Sequence, residues 1–154
     1  MAYTPIPQTL ALILSALMLA ACGGGGGTPA AAPPAVSAVQ TMATCGSTSN
    51  KIGKSATLLT RSHRVSGKAT VVDDCTIEIT NFNYDGGGAQ TVFAYGGLAG
   101  NYGAGFAIGS NLKGTVFTNQ TLKLTLKAGD IDKMDGLSIW CSDVKISFGD
   151  GLFQ

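Results

Sequence analysis

The stretch Leu137-Ser138-Ile139-Trp140-Cys141-Ser142-Asp143-Val144-Lys145-Ile146-Ser147-Phe148 decides the fold. Leu137, Ile139 and Cys141 alternate with Ser138 and Trp140, which is the period of a β-strand with one apolar face. Val144, Ile146 and Phe148 alternate in the same way but in the opposite phase. The phase slips at Ser142-Asp143, so a β-bulge or a bend is expected there.

The same period recurs upstream. Val65, Gly67, Ala69 and Val71 alternate with Ser66, Lys68 and Thr70, and Cys75, Ile77 and Ile79 alternate with Thr76, Glu78 and Thr80. Leu122, Leu124 and Leu126 alternate with Thr121, Lys123, Thr125 and Lys127. Thr91–Tyr95 and Phe106–Ile108 read as further strands. Each run has one apolar and one polar side, as antiparallel strands do when one face of the sheet is wet. Turn signals separate the runs: Asp73-Asp74, Asp85-Gly86-Gly87-Gly88, Gly96-Gly97, Gly109-Ser110-Asn111, Ala128-Gly129-Asp130 and Asp135-Gly136. No helical periodicity of useful length is present. The expected fold is all-β, an antiparallel β-sandwich of six to eight short strands.

Charge and proline divide the chain. All ten Lys and Arg lie between Lys51 and Lys145, and all nine acids between Asp73 and Asp150. The five prolines (Pro5, Pro7, Pro29, Pro33 and Pro34) fall in the uncharged N-terminal part. Leu10–Ala21 reads LALILSALMLAA, the length of a signal-peptide apolar region and short for a membrane span. It ends in Leu19-Ala20-Ala21-Cys22, which resembles the lipobox of bacterial lipoproteins, with the thiol that accepts the acyl-bearing glyceride. Residues 1–21 are therefore expected to be a lipoprotein signal peptide, with lipidation at Cys22 and palmitate-type acyl chains as the membrane anchor. The leader MAYTPIPQT departs from the usual pattern in having no Lys or Arg. Residues 22–47, opened by the run Gly23–Gly27 and rich in Ala and Pro, are expected to form a flexible tether spanning about 25–30 Å. Residues 48–154 form the expected domain. Gly23 stands where an inner-membrane retention Asp would be, which points to the outer membrane as the address by resemblance to that sorting rule.

A net charge of +1 gives no basic excess for nucleic acid, so no nucleic-acid partner is expected. No Gly-x-Ser-x-Gly or phosphate-loop pattern occurs, and a Ser-His-Asp triad would have to be built on the single histidine, His63. No catalytic residues are assigned. Haem would need His63 with Met42 or Met134, and no CxxCH is present. Zinc needs closely spaced ligands, and the cysteines are scattered, so neither metal nor cofactor is expected. Asp130-Ile131-Asp132-Lys133-Met134-Asp135-Gly136 looks like a calcium loop but has Met134 at a ligand position and no closing Glu, so it reads as a turn. Asn83–Gly88 reads as a tight turn whose amides offer a nest for an anion.

With Cys22 assigned to lipid, Cys45, Cys75 and Cys141 remain, an odd number in a disulfide-permissive compartment. Cys75 and Cys141 share the inward phase of their strands, so a Cys75–Cys141 disulfide is the leading expectation, contributing about 2–4 kcal/mol. An alternative pairs Cys45 with one of them and pins the tether. A third makes Cys141 a redox thiol or half of a labile disulfide, with Trp140 shielding the sulfur.

The runs His63-Arg64-Val65-Ser66-Gly67, Val71-Val72-Asp73-Asp74-Cys75-Thr76-Ile77, Asn81–Gly88, Leu137–Cys141 and Val144–Gly149, in this order, resemble the electron transfer DM13 domain found in bacterial lipoproteins. The resemblance covers most of residues 55–153. It implies a β-sandwich and a redox or electron-transfer role built around Cys141; the expected partners are the membrane, through the lipid anchor, and a redox or envelope protein whose identity the sequence does not name. The competing reading is a non-catalytic binding or structural module carrying a structural disulfide.

Overall fold

The computed structural model describes residues 45–154. The expected signal peptide, the Cys22 lipidation site, Met42 and most of the tether lie outside the described residues. Eight strands form one antiparallel sheet: β1 (Ser55–Thr60), β2 (Ser66–Asp73), β3 (Thr76–Tyr84), β4 (Val92–Leu98), β5 (Asn101–Ile108), β6 (Phe117–Thr125), β7 (Gly136–Cys141) and β8 (Ile146–Leu152). Their order across the sheet is β5-β4-β7-β8-β1-β2-β3-β6. The only helix among the described residues is one 3₁₀ turn, Ile131–Lys133.

β1 joins the two halves. Its first residues, Ser55–Leu58, pair with Gly67–Thr70 of β2, while Leu59 and Thr60 pair with Asp150 and Gly149 of β8. The sheet curls about this strand, so one core is filled from both halves. Val71, Ile77, Ile79 and Phe82 from one half share it with Val92, Leu137, Ile139 and Phe148 from the other. Ile131 and Met134 of the 3₁₀ segment are fully buried in the same cluster, which makes that segment a plug for the core, not an open ligand loop. The edge strands β5 and β6 differ in character: β6 carries Lys123, a charge that discourages strand addition, and β5 is glycine-rich.

The phase slip in the opening stretch turns out to be a chain reversal. Ser142–Lys145 form the β7–β8 turn, so the two apolar series lie on adjacent antiparallel strands. A bulge is present but sits further on. Ile139 pairs with Gly149 and Trp140 with Ser147, leaving Phe148 as the extra residue. Phe148 points into the core, whereas Val144 and Ile146, expected to share its face, are exposed in the turn and at the strand start.

Gly96-Gly97, expected as a turn, lies inside β4. A Cβ at Gly96 would come within 2.6 Å of the Met134 sulfur, and one at Gly97 within 2.9 Å of the Tyr102 ring. These glycines admit buried side chains close to the backbone instead of turning the chain. The turn falls at Ala99-Gly100.

Candidate redox site at Cys141 and the disulfide at Cys45

β7 places Cys141 at its end, opposite Val92 of β4 and Ile146 of β8. Its thiol is free and has no exposure to solvent. Trp140 precedes it and therefore lies on the other face of the sheet, because neighbouring side chains in a strand point to opposite sides. The indole packs against Tyr95 at 6.3 Å and Tyr102 at 6.4 Å between ring centroids, both tilted. The expectation that Trp140 shields the sulfur is corrected: core residues cover it, and Trp140 belongs to a half-exposed aromatic face. Tyr95 was legible in principle, since it shares the strand phase of Phe93, the cross-strand partner of Trp140. Tyr102 was hidden in a glycine-rich stretch.

Three of the runs that suggested a family, His63–Gly67, Asn81–Gly88 and Val144–Gly149, meet at one end of the curled sheet. Asp85, just after β3, donates its backbone N–H to the His63 carbonyl at 3.1 Å, and its carboxylate lies 3.1 Å from His63 Nδ1. The same carboxylate accepts the Gly87 amide at 2.8 Å. These bonds hold it below its ordinary range, the Gly87 amide most strongly and then His63, against an opposing contribution from burial. The His63 ring lies 4.3 Å from that of Phe148. His63 and Arg64 both adopt left-handed backbone, φ 51° and 57°. Such a conformation costs roughly 1–2 kcal/mol per residue. The bulge at Phe148 helps to hold this turn, since its carbonyl accepts the amides of Arg61 and Ser62, each at 2.9 Å.

The Asp85–Gly88 loop packs against these rings, Gly87 beside His63 and Gly88 beside Phe148. Gly88 has φ +98°, and a Cβ there would lie 2.7 Å from Phe148 and 3.0 Å from Val92. Tyr84 donates its phenol to the Gly87 carbonyl. Burial, then Asp85 and then Cys141, pushes that phenol up to about 12. A cleft of about 320 Å³ opens beside this loop, lined by Arg64, Asn83, Tyr84, Asp85 and Phe117 among others. Met134, the other haem-ligand candidate, lies under Gly96, while His63 is engaged with Asp85, Gly87 and Phe148.

The cysteine pairing differs from the leading expectation. Cys45 is bonded to Cys75, with a Cα–Cα separation of 5.4 Å, so the pairing that pins the N-terminal segment is the one formed. Cys75–Cys141 is overturned by topology. Cys75 lies in the β2–β3 turn, and β8, β1 and β2 separate β3 from β7 in the sheet. Sharing the inward phase gave both residues burial but not proximity. Asp74 organises the partner segment: its carboxylate accepts the Thr48 and Ser49 amides at 3.0 and 2.8 Å and the Thr48 hydroxyl at 2.8 Å. These bonds hold Asp74 below its ordinary value.

Together these features define a small all-β domain with a solvent-free thiol behind an aromatic sheet face and a separate disulfide at its N-terminal edge. The family model for the electron transfer DM13 domain matches residues 57–152, and the chain belongs to that family. No curated protein and no solved structure matches the chain.

Proposed function

We propose that the chain is an envelope-anchored lipoprotein, held in the bacterial outer membrane through lipid on Cys22, whose domain is an electron-transfer accessory centred on Trp140-Cys141. One observation carries this reading: successive residues of β7 place a partly exposed indole on the outer face and a free, fully buried thiol on the inner face. A thiol without access cannot attack a partner's disulfide. It can give up an electron. A one-electron oxidant carried by an envelope redox protein docks where Trp140 and Tyr95 are partly exposed and takes an electron from the indole. Cys141 refills it, losing one electron to Trp140 and its proton to solvent; back-transfer of one electron from the partner's now reduced redox group through Trp140, with a proton from solvent, restores the thiol. The half-buried hydroxyl pair of Thr91 and Ser142, 2.6 Å apart and next along the chain from Cys141, offers the proton a polar way out.

The test is flash oxidation of the full chain by a water-soluble photo-oxidant, following indole radical absorbance. Decay is expected to slow severalfold in Cys141→Ala while folding, read by circular dichroism, is retained. Equal decay in the two proteins rejects the relay. That result favours the second reading, a non-catalytic binding or structural module, which rests on the complete burial of Cys141 and on the Cys45–Cys75 crosslink. The anchor has its own test. The membrane-extracted protein is expected to start at a lipid-modified Cys22, and Cys22→Ser to abolish the modification.

A further inference from the structure

The three donor atoms of Cys45, Asp73 and Cys75 lie within 4.8 Å of one another, although the sequence separates the cysteines by 30 positions. We propose that reduction of the Cys45–Cys75 disulfide converts this corner into a zinc site with two thiolates, the Asp73 carboxylate and one water as ligands. The inference is independent of any electron-transfer role for Cys141.

Three features support it. The first is access. Cys45 is exposed while Cys75 is 2% exposed, so a thiolate can reach the disulfide from the Cys45 side. The second is retention after reduction. The segment carrying Cys45 is docked without help from the sulfur. Asp74 holds Thr48 and Ser49, the Asp74 amide donates to the Gly46 carbonyl at 3.0 Å, and Ser49 Oγ donates to Asp132 at 2.6 Å. Lys51 Nζ donates to the carbonyls of Ile131 and Asp132 at 3.1 and 3.2 Å. The two thiols therefore stay neighbours when the bond opens.

The third is a preset carboxylate. Asp73 Oδ1 accepts the Cys75 amide at 2.9 Å, which aims the group at the sulfurs, and among the described residues no hydrogen bond engages Oδ2. Tetrahedral zinc spaces its donors roughly 3.5–3.8 Å apart, given Zn–S bonds of about 2.3 Å and Zn–O bonds of about 2.0–2.2 Å. The two sulfurs must separate and the carboxylate close to that spacing from within 4.8 Å, and exposed Cys45 is free to swing. Two soft thiolates with one carboxylate select zinc over calcium or magnesium, which take oxygen donors.

The chemistry balances in two steps. A dithiol oxidoreductase gives two electrons and two protons to the disulfide and becomes a disulfide itself. Zinc then displaces the two thiol protons into solvent. In the oxidised protein the sulfurs are spent on each other and the site is closed, so zinc uptake is gated by the redox state.

The experiment uses the full chain carrying Cys22→Ser, purified in detergent, in oxidised and phosphine-reduced forms. Each is titrated with Co²⁺ as a spectroscopic stand-in and with Zn²⁺ against a chromophoric chelator. The reduced protein is expected to bind one equivalent, with an intense sulfur-to-cobalt charge-transfer band, and the oxidised protein none. Cys45→Ser should lose most of that band, and Asp73→Asn should keep the band while weakening Zn²⁺ at least ~10-fold. Equal binding by the two redox forms, no stoichiometric binding by the reduced form, or a band that survives Cys45→Ser and disappears in Cys141→Ala would overturn the proposal. The comparison of oxidised with reduced protein requires no substitution within residues 48–154 or at Cys45, so it remains decisive if a domain variant misfolds.

Discussion

Reducing the Cys45–Cys75 disulfide, or replacing Cys45 by Ala, releases a closed loop of 30 residues in the unfolded chain. Loop-closure entropy for that length corresponds to about 3.6 kcal/mol near room temperature. The native state keeps its other attachments, because Asp74, Ser49 and Lys51 hold the segment through separate bonds. Most of the loss therefore acts through the unfolded state. With a urea dependence of about 1.5 kcal/mol per molar for a domain of this size, the midpoint should fall by about 2 M. Trp140, the only tryptophan, reports unfolding from the sheet face remote in sequence from the crosslink. The assay is urea unfolding of the full chain followed by its fluorescence, oxidised against phosphine-reduced, with Cys45→Ala in both conditions. The variant should match reduced wild type and ignore the reductant. Coincident midpoints for oxidised and reduced wild type would refute the reasoning.

Three other perturbations have defined outcomes. Asp74 is held below its ordinary 3.8 by the Ser49 and Thr48 amides, so its stabilising contribution is complete above the unfolded value and is lost as pH falls through the folded one. Acid unfolding should accordingly begin below about pH 4, and Asp74→Asn should flatten the acid limb of a stability-against-pH profile. Burial raises the phenols of Tyr84 and Tyr102 to about 12 from an ordinary 10.0, so the folded protein keeps their protons longer than the unfolded chain does. Stability should be lost as pH climbs from 10.0 towards 12, and ultraviolet titration should show both phenols ionising late or only with unfolding. Gly88→Ala combines a left-handed φ of +98° with contacts at 2.7 Å to Phe148 and 3.0 Å to Val92. It should cost about 2–4 kcal/mol in thermal or urea unfolding, whereas Gly53→Ala, at φ +81° with open space around it, should lose only the conformational part.

The strands were legible because each buries one face, and alternation records that directly. Ile77 and Ile79, or Leu137 and Ile139, could not be read otherwise. β1 was overlooked because Ser55–Thr60 buries only Ala56 and Leu58, and its central role is to change partners between β2 and β8, which leaves no periodic trace. Gly96-Gly97 misled because the side chains that require them, Met134 and Tyr102, arrive from other parts of the chain. Cysteine pairing failed for a related reason. Periodicity states which face a residue occupies, and proximity within that face depends on strand order, which a single sequence does not record. The conjunction of His63, Asp85 and Phe148 was foreshadowed only by the order of the runs.

The three cysteines among the described residues have separate physical meanings. Cys45–Cys75 and Cys141 differ in what they allow chemically, because access separates atom exchange from electron exchange. A thiol or a metal must touch the sulfur it reacts with, so among the described residues only the corner with exposed Cys45 is open to disulfide exchange or to the proposed zinc. An electron needs a nearby orbital but no opening, so a sulfur sealed beneath β7 remains usable if the adjoining indole is reachable. The two chemistries should therefore separate under perturbation. Alkylating the native reduced protein should modify the Cys45 corner first and leave Cys141 untouched, blocking metal uptake without altering indole radical decay. If alkylation slowed that decay while Cys141 remained unmodified, the radical would be drawing its electron from the wrong sulfur, and the assignment to Cys141 would fail.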